Sequence, residues 1–517
     1  MKIERTRNTV RNMSWGYIYK MISLILPFIF RTVMIRVLGA EYLGVNSLFI
    51  SVLQVLSLSE LGFGSAMVFS MYKPIAENDE DTICALLEYY KKIYTIIGLV
   101  VMTLGLVLTP VIPFLISGDY PDQINIYFVY IMFLINTSIS YFLFAYRGSL
   151  LSAFQRNDIE SKILIIVTVF RYSSEIACIV AFKQYYVFLL LEIVSTVLIN
   201  ILKYIYTNKM YPQYKPNGSI TIEEKKKIKS NVYALMCHKV GGIVLNSADN
   251  IVLSAFMGVV LVANYNNYYY LINAVTGIVV ICFSGMTAGI GNSFVTETIE
   301  KNREYFRKVL FFNAWVVGWC SVCFVCLYQD FMELWVGKKY MFNDLVMVLF
   351  VLYFFVHCIR RTIISFRDGA GMWRDNKWQP IVSAVCNLII NIVLVQFIGV
   401  YGILLSSILC MIVIDIPWEA GAFCSKICLP RKNYIIDLLK YFSVTVIVCA
   451  LMYVGTRNIH FIPGINLLIK GGACIIVPNF IFWFVFHKTN EYKYFRELIK
   501  KFLKKIKLKK TLSINRE

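Results

Sequence analysis

The segment that decides the fold is RTVMIRVLGAEYLGVNSLFISVLQVLSLSELGFGSAMVFS, residues 31–70. It is long and apolar, yet it contains Arg31, Arg36 and Glu60. About 20 apolar residues in a helix cover roughly 30 Å, the thickness of bilayer hydrocarbon. A cation at the centre of such a helix costs about 2.5–3.5 kcal/mol to insert even on a lenient scale, so it faces protein or a wet cavity rather than lipid. The segment therefore reads as membrane-spanning, with charges retained for packing or function.

The same pattern recurs from end to end. Candidate spans cover 14–37, 45–70, 93–116, 125–149, 162–182, 184–206, 232–256, 265–290, 308–328, 341–363, 381–398, 401–420, 435–455 and 464–486. Of 517 residues 58% are apolar and 16% charged, against about 45–50% and about 25% in soluble proteins; mean hydropathy is +0.65. The reading is an all-α polytopic membrane protein of about 14 transmembrane helices, with no room for a sizeable soluble domain. Charges interrupt two spans: Arg171 and Glu175 lie in 162–182, and His238, Lys239 and Asp249 in 232–256.

The net charge of +20 does not point to nucleic acid, because the cations sit in alternate short connections. Examples are Lys91 and Lys92, Arg147 to Lys162, Lys225 to Lys229, Lys301 to Lys308, Arg360 to Lys377 and the lysine-rich tail after 500. Cationic loops mark the cytoplasmic side and meet anionic lipid. Both termini are expected in the cytoplasm of a bacterial cell, on a multi-pass plasma-membrane protein. The N-terminus lacks the short apolar core and cleavage site of a secretory signal.

Enzyme and cofactor signatures are missing from the sequence. There is no G-x-x-x-x-G-K-[ST] phosphate loop, no H-E-x-x-H and no G-x-S-x-G. Cys320, Cys323 and Cys326 have ligand-like spacing, but they lie in an apolar run without a histidine partner and read as packing residues. The expectation is no enzyme, no metal and no cofactor, with coupling to a proton or sodium gradient left open.

An internal echo supports two halves. VLG at 37–39 and LISGDY at 115–120 are answered by FMG at 256–258 and LWVGKKY at 334–340. The separation of Gly39 from Gly118 equals that of Gly258 from Gly337, and Asn157 falls on Asn376 at the same offset. The expected organisation is two pseudo-symmetric six-helix halves, 1–206 and 231–420, joined by a basic connector at 207–230. Two additional helices follow at 421–487, and a basic cytoplasmic tail at 488–517. Repeated halves are how many transporters build a site reachable from either side.

The charges within spans are the candidate site. Lys20 and Arg31 are eleven residues apart, about three helical turns, and share a face of the first helix. Arg171 and Glu175, at i and i+4, pair across one turn and read equally as structure or as cavity lining. Arg36, close to the turn at Gly39, reads mainly as a snorkelling side chain. Arg31 and Lys239 read as cavity cations, and Glu60 and Asp249 either as places for a proton or ion or as members of structural salt bridges. A cationic cavity suits an anionic substrate, and arginine's planar fork suits phosphate.

LGAEYLGVNSLF at 38–49 and LSLSELGFGSA at 56–66 resemble the first external turn and second helix of bacterial polysaccharide exporters of the O-antigen flippase family. LWVGKKY and the stretch RGSLLSAFQRN at 147–157 fit the same family, and the resemblance extends over essentially the whole chain. It places the protein beside multidrug exporters and the lipid II flippase, in the multidrug/oligosaccharidyl-lipid/polysaccharide exporter superfamily. It implies alternating-access transfer of an undecaprenyl-diphosphate-linked oligosaccharide from the inner to the outer leaflet. By that resemblance Arg31 meets the diphosphate or an acidic sugar, and Arg171 and Lys239 line other parts of the cavity, with Arg36 nearby. Glu60 matches an acidic residue before the Gly-rich end of the second helix; a coupling role for Asp249 rests on its placement alone. Partners implied are the lipid-linked oligosaccharide, membrane lipid and the polymerase of the same pathway. Two other classes stay open: a cation-coupled drug or metabolite exporter of similar fold, and a polysaccharide polymerase or assembly protein. Which polymer is made, whether O-antigen, capsule or exopolysaccharide, is outside the sequence.

Overall fold

The structure, a computed structural model, describes residues 5–60, 62–118, 120–372, 378–458, 463–497 and 500. Asn376, the cations Arg374 and Lys377, and residues 498–499 and 501–517 of the basic tail lie outside the described residues. The first helices are α1 (Arg5–Val37), α2 (Ala40–Leu56), α3 (Phe63–Glu77), α4 (Glu80–Leu108), α5 (Ile126–Phe142), α6 (Gly148–Ala153), α7 (Asn157–Phe182) and α8 (Tyr185–Met210). They are followed by α9 (Ile222–Met257), α10 (Val259–Thr296), α11 (Ile299–Trp335), α12 (Asp344–Ile359), α13 (Arg361–Gly369) and α14 (Gln379–Ile398). The last are α15 (Val400–Cys410), α16 (Ile416–Lys426), α17 (Arg431–Arg457) and α18 (Pro463–Phe486). The regular elements among the described residues are all helical.

Eleven helices among the described residues are long and apolar enough to cross a membrane, or twelve if α5 and Ala145–Ala153, bent by 51°, form one span. Two of the fourteen expected spans are outside that count among the described residues. The span expected at 45–70 is broken into α2 and α3 around a short 3-10 turn, Ser57–Glu60. The span expected at 265–290 lies inside the continuous 38-residue α10. The protein is a multi-pass membrane protein.

The four echoed glycines share a backbone feature. Gly39, Gly118, Gly258 and Gly337 all have positive φ, at 117°, 74°, 87° and 83°. Only glycine adopts such angles without steric cost, which is why the echo survives at these four positions. Residues 40–77 hold α2 and α3, and 259–296, shifted by 219, hold α10. The same shift carries the start of α4 at Glu80 onto the start of α11 at Ile299. It also carries one N-cap onto another: Asp79 accepts from the Thr82 amide and Thr298 from the Lys301 amide. At Asp79 the Thr82 hydroxyl and amide hold the carboxyl below its ordinary range, as expected for a carboxylate receiving two donors. Lys20 on α1 and Lys239 on α9 are likewise 219 residues apart.

Contacts divide the chain into two units, one made of 1–266 and 380–403, the other of 267–379 and 404–517. In the first, α1 packs along α7, α7 on α8, α4 on α5 and α2 on α9. The tightest approach is at Gly44 of α2, where an added Cβ would lie 1.8 Å from the Val259 carbonyl oxygen. Backbone cannot yield as a side chain does, so Gly44→Leu is expected to cost about 3 kcal/mol or more. Size-exclusion profiles should show loss of the monodisperse protein, whereas Gly242→Ala, with open space around it, should elute unchanged.

In the second unit α11 is the hub, packed by α12, α17 and α18. Phe311, Val322 and Cys326 of α11 form one apolar cluster with Val448, Met452, Cys474, Phe482 and Phe486. The helices α17 and α18 are thus seated on α11 within the second unit. Cys323 packs against this cluster and Cys326 is part of it, and no group of three His, Cys, Asp or Glu suited to a metal occurs among the described residues.

Candidate functional site

The break between α2 and α3 builds the most distinctive site. After Leu56 the chain makes one 3-10 turn, and Gly62, with φ 89°, restarts the helix at Phe63. The second copy has Ile281 and Phe283 where the first has Gly62 and Gly64, and there α10 runs through. Glycines supply the positive φ and the space that a break requires. Within a membrane, interrupted helix is tolerated where it is buried in protein or lines a cavity.

Glu60 sits on that turn and is held from two helices. The Tyr94 hydroxyl of α4 donates to Oε1 at 2.7 Å, and the Tyr141 hydroxyl of α5 donates to Oε2 at 2.6 Å. Tyr90, one turn before Tyr94, donates to the Tyr94 oxygen at 2.8 Å. Each bond to a charged acceptor is short, in the range of charge-assisted pairs. The carboxylate and this tyrosine chain line a cavity of 890 Å³ within the first unit. Its wall also carries Asn136, Ser140, Ser149 and the Lys203–Glu160 ion pair at 2.5 Å. A second cavity of 260 Å³ shares Glu60, Asn136 and Thr137 with it and adds Gln54 and Glu192. Both are roomy enough for several water molecules and polar enough to hold them.

Asp249 of α9 forms a separate node. It is 7% exposed and accepts from Tyr265 Oη at 3.0 Å and Asn391 Nδ2 at 2.7 Å. Asn391 also donates to Asn387 Oδ1 at 3.2 Å, one turn earlier on α14. Two residues before Asp249, Ser247 donates to Gln54, which lines the smaller cavity. Carboxylate and amide oxygens gathered at one buried point suit a proton or a hard cation.

Arg171 and Glu175 come together as their spacing foretold, but they do so with a second carboxylate. Arg171 Nε lies 3.6 Å from Glu175 Oε1 and its Nη1 lies 3.5 Å from Glu192 Oε1 on α8. Its guanidinium also lies over the Tyr172 ring, 4.3 Å from the centroid. The other expected cations are elsewhere. Arg31 is half-buried on α1 and engaged with neighbouring groups; Phe30 beside it packs on Tyr172 and Phe188. Arg36 and Lys239 have exposed side chains.

Sequence reasoning missed three features. The tyrosines around Glu60 are 34 and 81 residues away in the chain, and neither carries a motif. Asn391, like Asn387 one turn before it, is an amide in an apolar span without a motif. The buried cluster of Arg360 with Asp415 and Glu419 was hinted at by the i,i+4 spacing of its carboxylates. It lies beside a π-helical turn, Met411–Asp415, a local geometry often found at functional sites.

Fold and site together define a multi-pass membrane protein with polar cavities in its first unit. The profile of the family described as polysaccharide biosynthesis protein matches residues 9–288, more than half of the chain, and the protein belongs to that family. Among solved structures, the lipid II flippase MurJ in an inward closed conformation is similar, with a TM-score of 0.70 at 14% identity, over 94% of this chain and 100% of that one. An inward-facing multidrug resistance MATE family transporter of the MOP superfamily is similar with a TM-score of 0.59 at 14% identity, over 83% and 99%. At such identities the likeness is one of fold. No curated protein matches the sequence.

Proposed function

We propose that the protein flips an undecaprenyl-diphosphate-linked oligosaccharide from the inner to the outer leaflet of a bacterial cytoplasmic membrane, by alternating access. The observation that carries this reading is the polysaccharide biosynthesis match over residues 9–288 in a chain folded like a lipid II flippase. Docking to a polymerase follows from the same reading. So do the division into halves at 1–206 and 231–420 and the cytoplasmic placement of both termini.

In this reading the substrate's anionic head meets several moderate cations rather than one deep trap, since transfer requires release as well as binding. Arg31, Lys239 and the repeat-related Lys20 serve in that role, with Arg36 at the end of α1. Arg171 already faces two carboxylates and is better suited to holding them than to binding phosphate. Asp249, with Tyr265 and Asn391, is the coupling site for a proton or sodium, and Glu60 at the helix break senses the state of the larger cavity.

Depletion of the protein tests this. Cells lacking it should accumulate the lipid-linked oligosaccharide on the cytoplasmic leaflet, relieved by wild type but not by Arg31→Ala. Normal delivery to the outer leaflet in depleted cells would reject the assignment. One observation favours a second reading, export of a cationic small molecule: the larger cavity carries Glu60 and Glu160 against the single Lys203. Under that reading depletion changes drug sensitivity and leaves the oligosaccharide's sidedness unaltered.

A further inference from the structure

Among the described residues, two clusters set two carboxylates against one arginine, and they differ in one respect. Around Arg360 each carboxylate oxygen of Asp415 and Glu419 has a donor, from the guanidinium or from Gln379. Around Arg171 that is not so. Glu175 is fully buried, and among the described residues neither of its oxygens accepts a hydrogen bond. Its nearest cation, Arg171, stands at 3.6 Å and is shared with Glu192 at 3.5 Å. A buried carboxylate without donors is far costlier than a buried carboxylic acid, and two carboxylates opposite one cation favour retention of a proton.

We propose that Glu175, Arg171 and Glu192 form a proton-binding site, in which one dissociable proton is held by the two carboxyl groups facing a single guanidinium. With that proton the cluster is neutral: one guanidinium, one carboxylate and one carboxylic acid. Glu192 lines the 260 Å³ cavity that also contains Glu60, so it is the member that exchanges the proton with water. The proton passes from cavity water to Glu192 and on to Glu175, while the guanidinium turns toward whichever carboxylate is ionised. The other groups facing the cluster are Tyr172 on α7 and Tyr185 on α8, with Tyr42 of α2 beside Tyr185, and Phe30 of α1 packs on Tyr172. The site deepens the coupling part of the proposed function, but its protonation requires no substrate and is tested without one.

The test is infrared spectroscopy of the purified full-length protein in lipid nanodiscs at pH 7, reading the carbonyl stretch of protonated carboxyl groups and its shift in heavy water. Wild type should show a buried carboxylic-acid band that Glu175→Gln removes. Glu192→Gln should remove it too, because Arg171 then pairs with Glu175 alone. The amide is isosteric with the acid, so melting temperatures of both variants should stay near that of wild type. Absence of the band in wild type, or its persistence at full intensity in both variants, overturns the proposal. Should Glu175→Gln fail to fold, loss of the band in Glu192→Gln supports the proposal and its retention there overturns it.

Discussion

Replacing Arg360 by methionine should lower the stability of the protein by about 3–5 kcal/mol, the cost of leaving buried charges without their partner. Arg360 Nε and Nη2 grip both oxygens of Glu419 at 3.1 and 2.6 Å, and Nη1 reaches Asp415 Oδ2 at 2.8 Å. Gln379 completes the cluster with a 2.5 Å bond to Asp415 Oδ1. The three charged side chains are at most 9% exposed. Arg360 stands at the junction of α12 and α13, whereas its partners flank the start of α16, so the cluster ties two stretches of the second unit together. Lysine keeps the charge but loses the fork, and Arg360→Lys should fall between wild type and methionine. The triple variant with Asp415→Asn and Glu419→Gln should recover much of the loss, because no unpaired charge remains. Thermal melting of the detergent-solubilised protein reads all three; an unchanged transition in Arg360→Met would mean that the cluster does not hold the fold.

The second large effect is expected at Glu60, on transport. Its two tyrosine bonds tie the turn at the helix break to α4 and α5, and hydrogen bonds to a charged group are worth about 1.5–3 kcal/mol each. Glu60→Leu removes both, and outer-leaflet delivery of the lipid-linked oligosaccharide should fall by about tenfold or more, since 1.4 kcal/mol already amounts to tenfold. Tyr141→Phe removes one bond and leaves the Tyr90–Tyr94 chain, so its effect should be clearly smaller. Full delivery by Glu60→Leu at wild-type protein levels would show that the break serves structure alone.

These two sites mark how far the sequence could be read. Spans are legible because Leu, Ile, Val and Phe recur over lengths fixed by the bilayer, and the echoed glycines because positive φ favours glycine at 39, 118, 258 and 337. Glu60 and its glycines were visible as an anomaly within a span, yet the anomaly was a broken helix rather than a charge in a continuous one. Its partners were invisible, because a tyrosine hydroxyl carries no signature and helix pairing is set by packing over long separations. Arg171 illustrates the opposite case: its local pair with Glu175 follows from i,i+4 geometry, but the third member, Glu192, comes from the next helix. Arg360 looked like an ordinary residue near a span end, since nothing local reveals that Asp415 and Glu419 close over it.

The central claim is that this one chain carries a lipid-linked oligosaccharide across a bilayer. Its most direct test is reconstitution of the purified protein into liposomes loaded with undecaprenyl-diphosphate-linked oligosaccharide, followed by digestion of the glycan exposed on the outer leaflet. Without the protein the digested fraction should stop at the outer-leaflet share. With wild type it should rise toward completion, and with Arg31→Ala or Glu60→Leu it should stay near the protein-free level. If the fraction with wild type equals that of empty liposomes, under a proton or a sodium gradient of either direction, the account is contradicted.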